Sequence, residues 1–235
     1  MEKQAISVSI ETLQNFVTLH REALQALTED KALENLSPEH RLAAGSLNAF
    51  IGGTADLTHA DLRGLDLSGA DLTGVIFKDA DLSGANLTRA KLCYAILEGA
   101  QLDDANLSGA NLQEVDMQWA TLRDANLDEA DIRRAHLQHI TATGASLRGT
   151  DMRHSNLTDA HFEDAILERA DLRECILRYS AFDRADLRWA KLEHSHIEGI
   201  RLWEADLSGT LLEGLNRDNP LSQPAAVVDA KRNVA

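Results

Sequence analysis

The amino-acid sequence predicts an all-β solenoid, a four-sided parallel β-helix of about eight coils that follows an N-terminal α-helical cap. Three observations predict it: a large apolar residue recurs every five residues, a small residue stands two positions before each one, and proline is absent from this part. The repeats occupy residues 54–214. We expect residues 1–53 to form the capping segment, and residues 215–235 to form a turn and a flexible tail.

The 32 large apolar positions run from Leu57 to Leu212 at intervals of five residues, and all are Leu, Ile, Met or Phe except Ala142. An α-helix does not fit, because five residues at about 100° each would spread these side chains over every face. A flat strand does not fit either, because an odd period sends alternate residues to opposite faces. A short extended segment that ends in a corner does fit, and four corners close a coil of 20 residues.

Proline and glycine agree with this geometry. Pro38, Pro220 and Pro224 lie outside the repeats, as expected where backbone N–H groups bond to the next coil. Every glycine from Gly64 to Gly214 stands two residues after a large apolar position, which suits the third residue of a type II turn. Because Asp, Glu, Arg, His and Trp also occupy this position, we expect other turn types at some corners.

The repeat unit reads Ala-Asp-Leu-Ser-Gly at residues 80–84 and Ala-Asn-Leu-Ser-Gly at residues 105–109. It resembles the pentapeptide repeat family, whose consensus is Ala, then Asp or Asn, then Leu and two variable residues. The resemblance covers about two thirds of the chain. It implies a right-handed quadrilateral parallel β-helix.

The residues before the repeats predict helices. Ser9 is placed to cap a first helix. Its apolar residues recur at helical spacing, at Leu13, Phe16, Val17, Leu24 and Leu27.

Ser37 followed by Pro38 predicts the start of a second helix that runs through Leu42 and Leu47, and Gly52-Gly53 ends it. Since a β-helix exposes its core at each end, these helices are expected to cover the first coil. A partner-binding segment is the alternative.

The net charge of −15 disfavours direct binding to nucleic acid or to an anionic membrane. No apolar stretch reaches the length of a membrane span, and the N-terminus lacks the apolar region of a signal peptide. We expect a cytoplasmic protein.

No catalytic, metal-binding or cofactor-binding set of residues stands out. Cys93 and Cys175 are about four coils apart, too far for a disulfide. His194 and His196 both face outward, but the 20-residue spacing places no further ligands beside them. We therefore predict a protein that is not an enzyme and holds no cofactor.

Residues 20 apart should stack on one side of the tube. This places Asp131, Asp151 and Asp171 in a column beside Arg133, Arg153 and Arg173, where the charges neutralise one another.

Asn86, Asn106 and Asn126 should form a ladder of amides in the same way. In the interior, Ala142 should lie between Leu122 and Phe162, and we expect the ring of Phe162 to fill the space that the alanine leaves.

A candidate contact surface is marked by apolar residues at positions where Asp, Asn or another polar residue is usual. Ile76 and Ile96 are stacked neighbours, and such exposed apolar groups typically mark contacts. They are covered either by the chain's own N-terminal helix or by a partner or second subunit. The candidate residues are Ile76, Ile96, Trp119, Ile176, Tyr179, Trp189 and Trp203. The last three fall in the final two coils, where they cover the C-terminal end or contact a second copy.

The leading functional hypothesis is a non-enzymatic scaffold that binds another protein through its rigid sides. The resemblance implies a second: some family members mimic DNA, protect DNA gyrase from quinolones or toxins, and dimerise through their C-terminal ends. The acidic composition fits that hypothesis. Against it, those members often have Phe at the central position and loops that interrupt the coil, whereas Leu dominates here and no loop is inserted.

Overall fold

The computed structural model describes residues 5–28, 37, 39 and 45–212. In chain order these contain strand β1 (Ala5–Ser7), helix α1 (Ile10–Thr28), helix α2 (Leu47–Ile51) and strand β2 (Thr54–Asp56). Beyond β2 the chain continues as a regular coil up to Leu212. Within the described residues, no helix combines the length and apolarity needed to cross a bilayer.

The coil has four sides, and each side is a ladder of single-residue parallel bridges between residues 20 apart. Side 1 starts at Asp56, side 2 at Asp61, side 3 at Asp66 and side 4 at Asp71. The bridge pattern therefore confirms the predicted 20-residue coil. Backbone hydrogen bonds run between neighbouring coils at every level.

The core is formed by the two inward positions of each repeat. All the large apolar positions from Leu57 to Leu207 are at most 7% exposed, and the columns stack as predicted. The small positions are buried as well, apart from Ala60, Leu65 and Ala205, which are partly buried near the ends. Each side therefore contributes one small and one large side chain per coil to a continuous apolar interior.

The described corners share one pattern of φ, whether or not the residue is glycine. At each corner from His59 to Gly209, the residue two after the large apolar position has φ between 53° and 72°, although 21 of these residues are not glycine. Because the residue before it does not have positive φ, each of these corners has the signs of φ that a type II turn has. Each corner N–H from His59 to Trp189 donates to the next coil, as from His59 to the Lys78 carbonyl at 2.9 Å, and this bond offsets the backbone strain.

The N-terminal segment lies against the first coil. β1 pairs in parallel with β2, so it continues the ladder of side 1 by one strand. In α1, Ser9 accepts a hydrogen bond from the N–H of Thr12, and Leu13, Phe16 and Val17 join the core. These features of the first helix are confirmed. Leu24 is 41% exposed, so its predicted core role is wrong, and the buried Ala23 lies at that level of the helix instead.

The N-terminal segment also supplies donors to carbonyls on the open end of the first coil. Arg21 donates to the carbonyl of Asp66, and the backbone N–H of Leu47 donates to that of Asp71. The side chain of Asn48 donates to the Thr73 carbonyl at 2.8 Å and accepts from the N–H of Ala55 at 2.6 Å. The described part of this segment therefore satisfies several of the backbone groups that the end of a β-helix leaves open.

The prediction that the second helix runs without a break through Leu47 is wrong. α2 starts afresh at Leu47, since Ser46 is extended and its side chain caps the N–H of Ala49. The predicted break is confirmed, because Gly52 is the left-handed C-cap. Pro38 and Leu42 lie outside the described residues.

Ala142 is compensated from a different position than predicted. The ring of Phe162 stacks on Phe182, with centroids 5.0 Å apart and planes at 8°. Beside Ala142 an apolar cavity of about 10 Å³ remains, so the expectation that Phe162 fills this space is wrong. Ile140 stands in the small slot of the same repeat, is 3% exposed and lines the cavity. This repeat has exchanged its small and large residues, which keeps the core volume nearly constant.

Candidate interaction surface

The outward position between the two core residues has a structural task when it holds Asp or Asn. Its side-chain oxygen accepts a hydrogen bond from the backbone N–H two residues later, an Asx hydrogen bond. Asp81 and Ser83 show it at 3.0 Å, and Asn126 and Asp128 at 2.9 Å. All 16 Asp and Asn residues at this position from Asp56 to Asp206 make this bond. The consensus Asp or Asn therefore satisfies one N–H of each turn.

Some repeats without Asp or Asn use a substitute. The N–H of Arg123 is bonded by Asp103, and that of Arg148 by Asp128, each from the preceding coil. Trp203 is bonded by Asp183 in the same way. In these repeats the turn N–H is therefore hydrogen-bonded although the consensus Asp or Asn is missing.

Ile76, Ile96 and Ile176 on side 1 give up this bond. A branched apolar side chain has no acceptor, and within the described residues no side-chain oxygen bonds the N–H two residues after any of them. Ile76 and Ile96 are directly bridged, as predicted. Ile96 is 37% exposed and Ile176 is 36% exposed. The described part of α1 packs at the end of the tube and leaves Ile96 uncovered, so it does not account for these residues.

Aromatic residues stand at the corners that border side 1. Trp119 is 59% exposed, and its ring stacks on His139 in the next coil with centroids 3.9 Å apart. Tyr179 is 55% exposed and lies over Gly199. Tyr94, 59% exposed, was missed by the sequence analysis, although it stands only two residues before Ile96. Side 1 therefore carries apolar groups on its flat part and at both of its corners.

Tyr179, Trp189 and Trp203 do not gather into one patch. Tyr179 ends a repeat of side 1, Trp189 ends a repeat of side 3, and Trp203 belongs to side 2. The ring of Trp189 lies over Gly209, on the outside of its corner. Trp203 faces the guanidinium of Arg184 at 5.8 Å. Their described contacts run along the outside of the tube, and residues 213–235, which follow the last coil, lie outside the described residues.

The charge ladder of side 4 is confirmed. Arg153 forms a two-pronged contact with Asp151, at 2.9 and 2.7 Å, and lies 3.7 Å from Asp171 in the next coil. Burial alone would raise the pKa of Asp151, but hydrogen bonds from Arg153 and the charges of Arg153 and Arg133 outweigh it and hold the pKa below its usual value. These carboxylates are therefore occupied by neighbouring arginines.

Neither cysteine has the setting of a reactive thiol. Both are free, as predicted. Cys175 lies fully inside the tube, its thiol donates to the carbonyl of Met152, and burial raises its pKa to about 12. Burial also raises the pKa of the half-buried Cys93. In the described parts of the chain, no three His, Cys, Asp or Glu side chains converge on a point that could hold a metal ion.

Residues 55–216 match the family model for pentapeptide repeats, in eight copies. The chain belongs to the pentapeptide repeat family. The fold of this family is the right-handed quadrilateral β-helix. The family membership that the sequence indicated is therefore confirmed. The right-handed coil that the resemblance implied is the coil of this family.

Solved structures of the family resemble the chain to different degrees. A trypsin-treated variant of QnrB1, a plasmid-mediated fluoroquinolone resistance protein, is 17% identical over 81% of this chain and 96% of its own, with a TM-score of 0.54. HetL, involved in heterocyst differentiation regulation in the cyanobacterium Nostoc sp. strain PCC 7120, is 29% identical over 69% and 80%, with a TM-score of 0.37. A thylakoid-lumen member from Arabidopsis thaliana is 27% identical over 50% and 71%, with a TM-score of 0.25. The likeness to QnrB1 supports the fold alone. Among curated proteins no match was found.

Proposed function

We propose that the chain is a non-enzymatic interaction protein that binds another protein through side 1 of its β-helix. The observation that carries this proposal is the group of exposed apolar residues formed by Tyr94, Ile96 and Trp119, with Ile76 stacked beside Ile96. Contiguous apolar groups on a rigid surface are typical of protein contacts. Aromatic residues in particular contribute strongly to such contacts.

The chemistry of the repeat adds support. An Asp or Asn at position 76 or 96 would satisfy a turn N–H, as it does in 16 other repeats. Isoleucine makes no such bond and leaves part of its surface in water. A residue that gives up a local hydrogen bond and stays exposed is better explained by contact with a partner than by folding.

The test replaces Ile76 and Ile96 by Asn together, which restores the family's usual residue without adding charge. The matched control is Ile166→Asn, the same change at the same repeat position on side 3. Affinity purification from the native host, followed by titration of the purified partner, compares the two variants with the unchanged chain.

We expect a partner that is retained by the unchanged chain and by Ile166→Asn and is lost by the double variant. The circular dichroism spectra of all three should agree. A partner held equally well by all three proteins would refute the assignment of side 1.

A second candidate function is protection of DNA gyrase by mimicry of DNA. It is favoured by the net charge of −15 and by the fold likeness to QnrB1. Against it, many carboxylates are matched by arginines, as in the ladder on side 4. A supercoiling assay with purified gyrase decides: inhibition, or relief of quinolone inhibition, at micromolar protein supports mimicry, and no effect argues against it.

A further hypothesis is a homodimer in which the two copies contact each other through the C-terminal end of the β-helix. It involves the last coil, where Leu211 is 50% exposed. Residues 213–235, which follow that coil, lie outside the described residues. Sedimentation velocity of the full chain and of Leu211→Asp tests it, since a dimer through this end should dissociate in the variant.

A further inference from the structure

At Ile96 and Ile176 themselves the backbone of side 1 is fully hydrogen-bonded within the sheet, and only the turn N–H two residues later lacks a side-chain acceptor. The N–H of Ile96 donates to the carbonyl of Val75 at 3.0 Å, and its own carbonyl accepts from Phe77 at 2.7 Å. Ile176 is bonded in the same way, to Ser155 and from Leu157. A partner on this side cannot add a β-strand to the sheet, which is the main source of affinity for an extended peptide. It must be recognised through side chains, and its own backbone must already be satisfied.

The apolar groups form two patches along the tube. The first contains Tyr94, Ile96 and Trp119, and the second contains Ile176 and Tyr179. Trp119 and Tyr179 are three coils apart and Ile96 and Ile176 are four, which is about 14 and 19 Å at the usual strand spacing. An α-helix rises about 1.5 Å per residue, so two of its residues about 10 to 13 positions apart would span the same distance.

The charges between and around the patches are negative on balance, since the one arginine at the bordering corner between them, Arg134, lies 4.0 Å from Glu114. Both cations of the side 1 repeats are already paired, Lys78 with Glu98 at 2.9 Å and Arg178 with Glu198 at 3.6 Å. Between the patches, Asp116 is hydrogen-bonded by Gln118, and Asp159 lies 4.0 Å from His139. The carboxylates in these repeats are Asp56, Asp79, Glu98, Asp116, Asp159 and Glu198. A partner with positive charge between its apolar anchors would complement this surface.

We propose that the occupant of side 1 is a basic amphipathic α-helix of another protein, lying along the tube axis. Its two apolar anchors, about three helical turns apart, contact the two patches, and its Lys or Arg residues face Asp116 and Asp159. A helix satisfies its own backbone groups, so it needs none from the sheet. The proposal rests on the function proposed for side 1 and adds the chemistry of its partner.

A library of displayed random peptides of about 16 residues, panned on the immobilised full chain, tests this without knowledge of the natural partner. The enriched peptides are then synthesised and their affinities measured by fluorescence anisotropy. The receptors are the unchanged chain, the anchor variant Ile96→Asn with Ile176→Asn, and the control Ile166→Asn on side 3. Each peptide is also made with a proline at its centre.

We expect enriched peptides rich in Lys and Arg, with apolar residues 10 to 13 positions apart. Their affinity should fall about tenfold or more in the anchor variant and on insertion of the proline, and remain unchanged in the control. Peptides that depend on the anchors but tolerate proline would overturn the helical partner and leave the proposed function standing. Peptides that bind the anchor variant as well as the unchanged chain, or a library without enrichment, would remove side 1 as the site and overturn both.

Discussion

At the scale of single residues, each position of the repeat is explained by one contact. The second residue bonds a turn N–H, and the fifth takes a left-handed conformation and donates to the next coil. The fifth residue also lies directly under the side chain 20 residues before it. A Cβ added to Gly199 would lie 2.4 Å from Cδ1 of Tyr179, so the tyrosine ring occupies the space that this Cβ would need. A glycine at such a corner therefore leaves room for the side chain of the preceding coil and also allows the left-handed backbone conformation.

The first prediction compares two glycines with the same backbone conformation. Gly199→Ala should destabilise more than Gly84→Ala, because both acquire strain of about 1 kcal/mol but only the first displaces an aromatic ring. Urea unfolding measures the difference, and in a Tyr179→Ala background it should vanish. Equal losses in the original background would show that the ring moves aside freely.

The second prediction concerns the pKa of Asp61. Hydrogen bonds from the side chain and N–H of Arg63 lower this pKa from 3.8 to about 2. Because the folded-state pKa is depressed, the stability that this carboxylate contributes is present above its unfolded pKa of about 3.9 and is lost as the pH falls towards 2. Carbon NMR titration should place the midpoint near 2, and Arg63→Ala should return it towards 3.8. A midpoint that is the same in Arg63→Ala as in the unchanged chain would contradict the assignment of the lowered pKa to Arg63.

Single-residue roles were only partly predictable from the sequence. The alternation of Ala and Leu predicts which side chains turn inward, because burial depends on the period alone. It does not predict the bond made by Asp81 or Asn126, since the repeat would place any outward residue in the same direction. Tyr94 was missed because it falls at a corner, where many residue types occur.

At the scale of elements, the coil tolerates exchanges within a repeat if the core volume is kept. Ile140 and Ala142 reverse the usual order of small and large residues, and only a small cavity remains beside them. The 20-residue spacing points to the stacked neighbour Phe162, whereas the compensation comes from the other core position of the same repeat. The break before α2 was missed for a similar reason, since Ser46 competes locally with a helix that the apolar spacing would continue.

The third prediction is a double-mutant cycle on this repeat. Ile140→Ala should cost about 2 to 5 kcal/mol because it enlarges the cavity. Ala142→Leu alone should cost about 1 to 3 kcal/mol, because the existing space is too small for a leucine. The two changes together restore the usual order, and the loss should be under about 1.5 kcal/mol. Losses that simply add in urea unfolding would show that the two positions do not share one space.

At the scale of the whole molecule, three of the four sides carry different chemistry. Side 4 neutralises its acids with arginines, side 3 carries the amides of Asn86, Asn106 and Asn126, and side 1 presents apolar groups. The coil follows from the sequence because every repeat has the same pattern of small and large core residues. The partner does not follow from this pattern, because only the few outward positions that hold apolar residues carry information about it.

The most direct test of this account is the urea unfolding of the chain with Ile76 and Ile96 both replaced by Asn. If these residues are kept for binding, the free energy of unfolding should stay within about 1 kcal/mol of the unchanged chain, since the restored turn bonds offset the lost apolar contact. Ile166→Asn should behave alike. A loss of several kcal/mol in the double variant would mean that the isoleucines of side 1 hold the tube together, and would contradict the account.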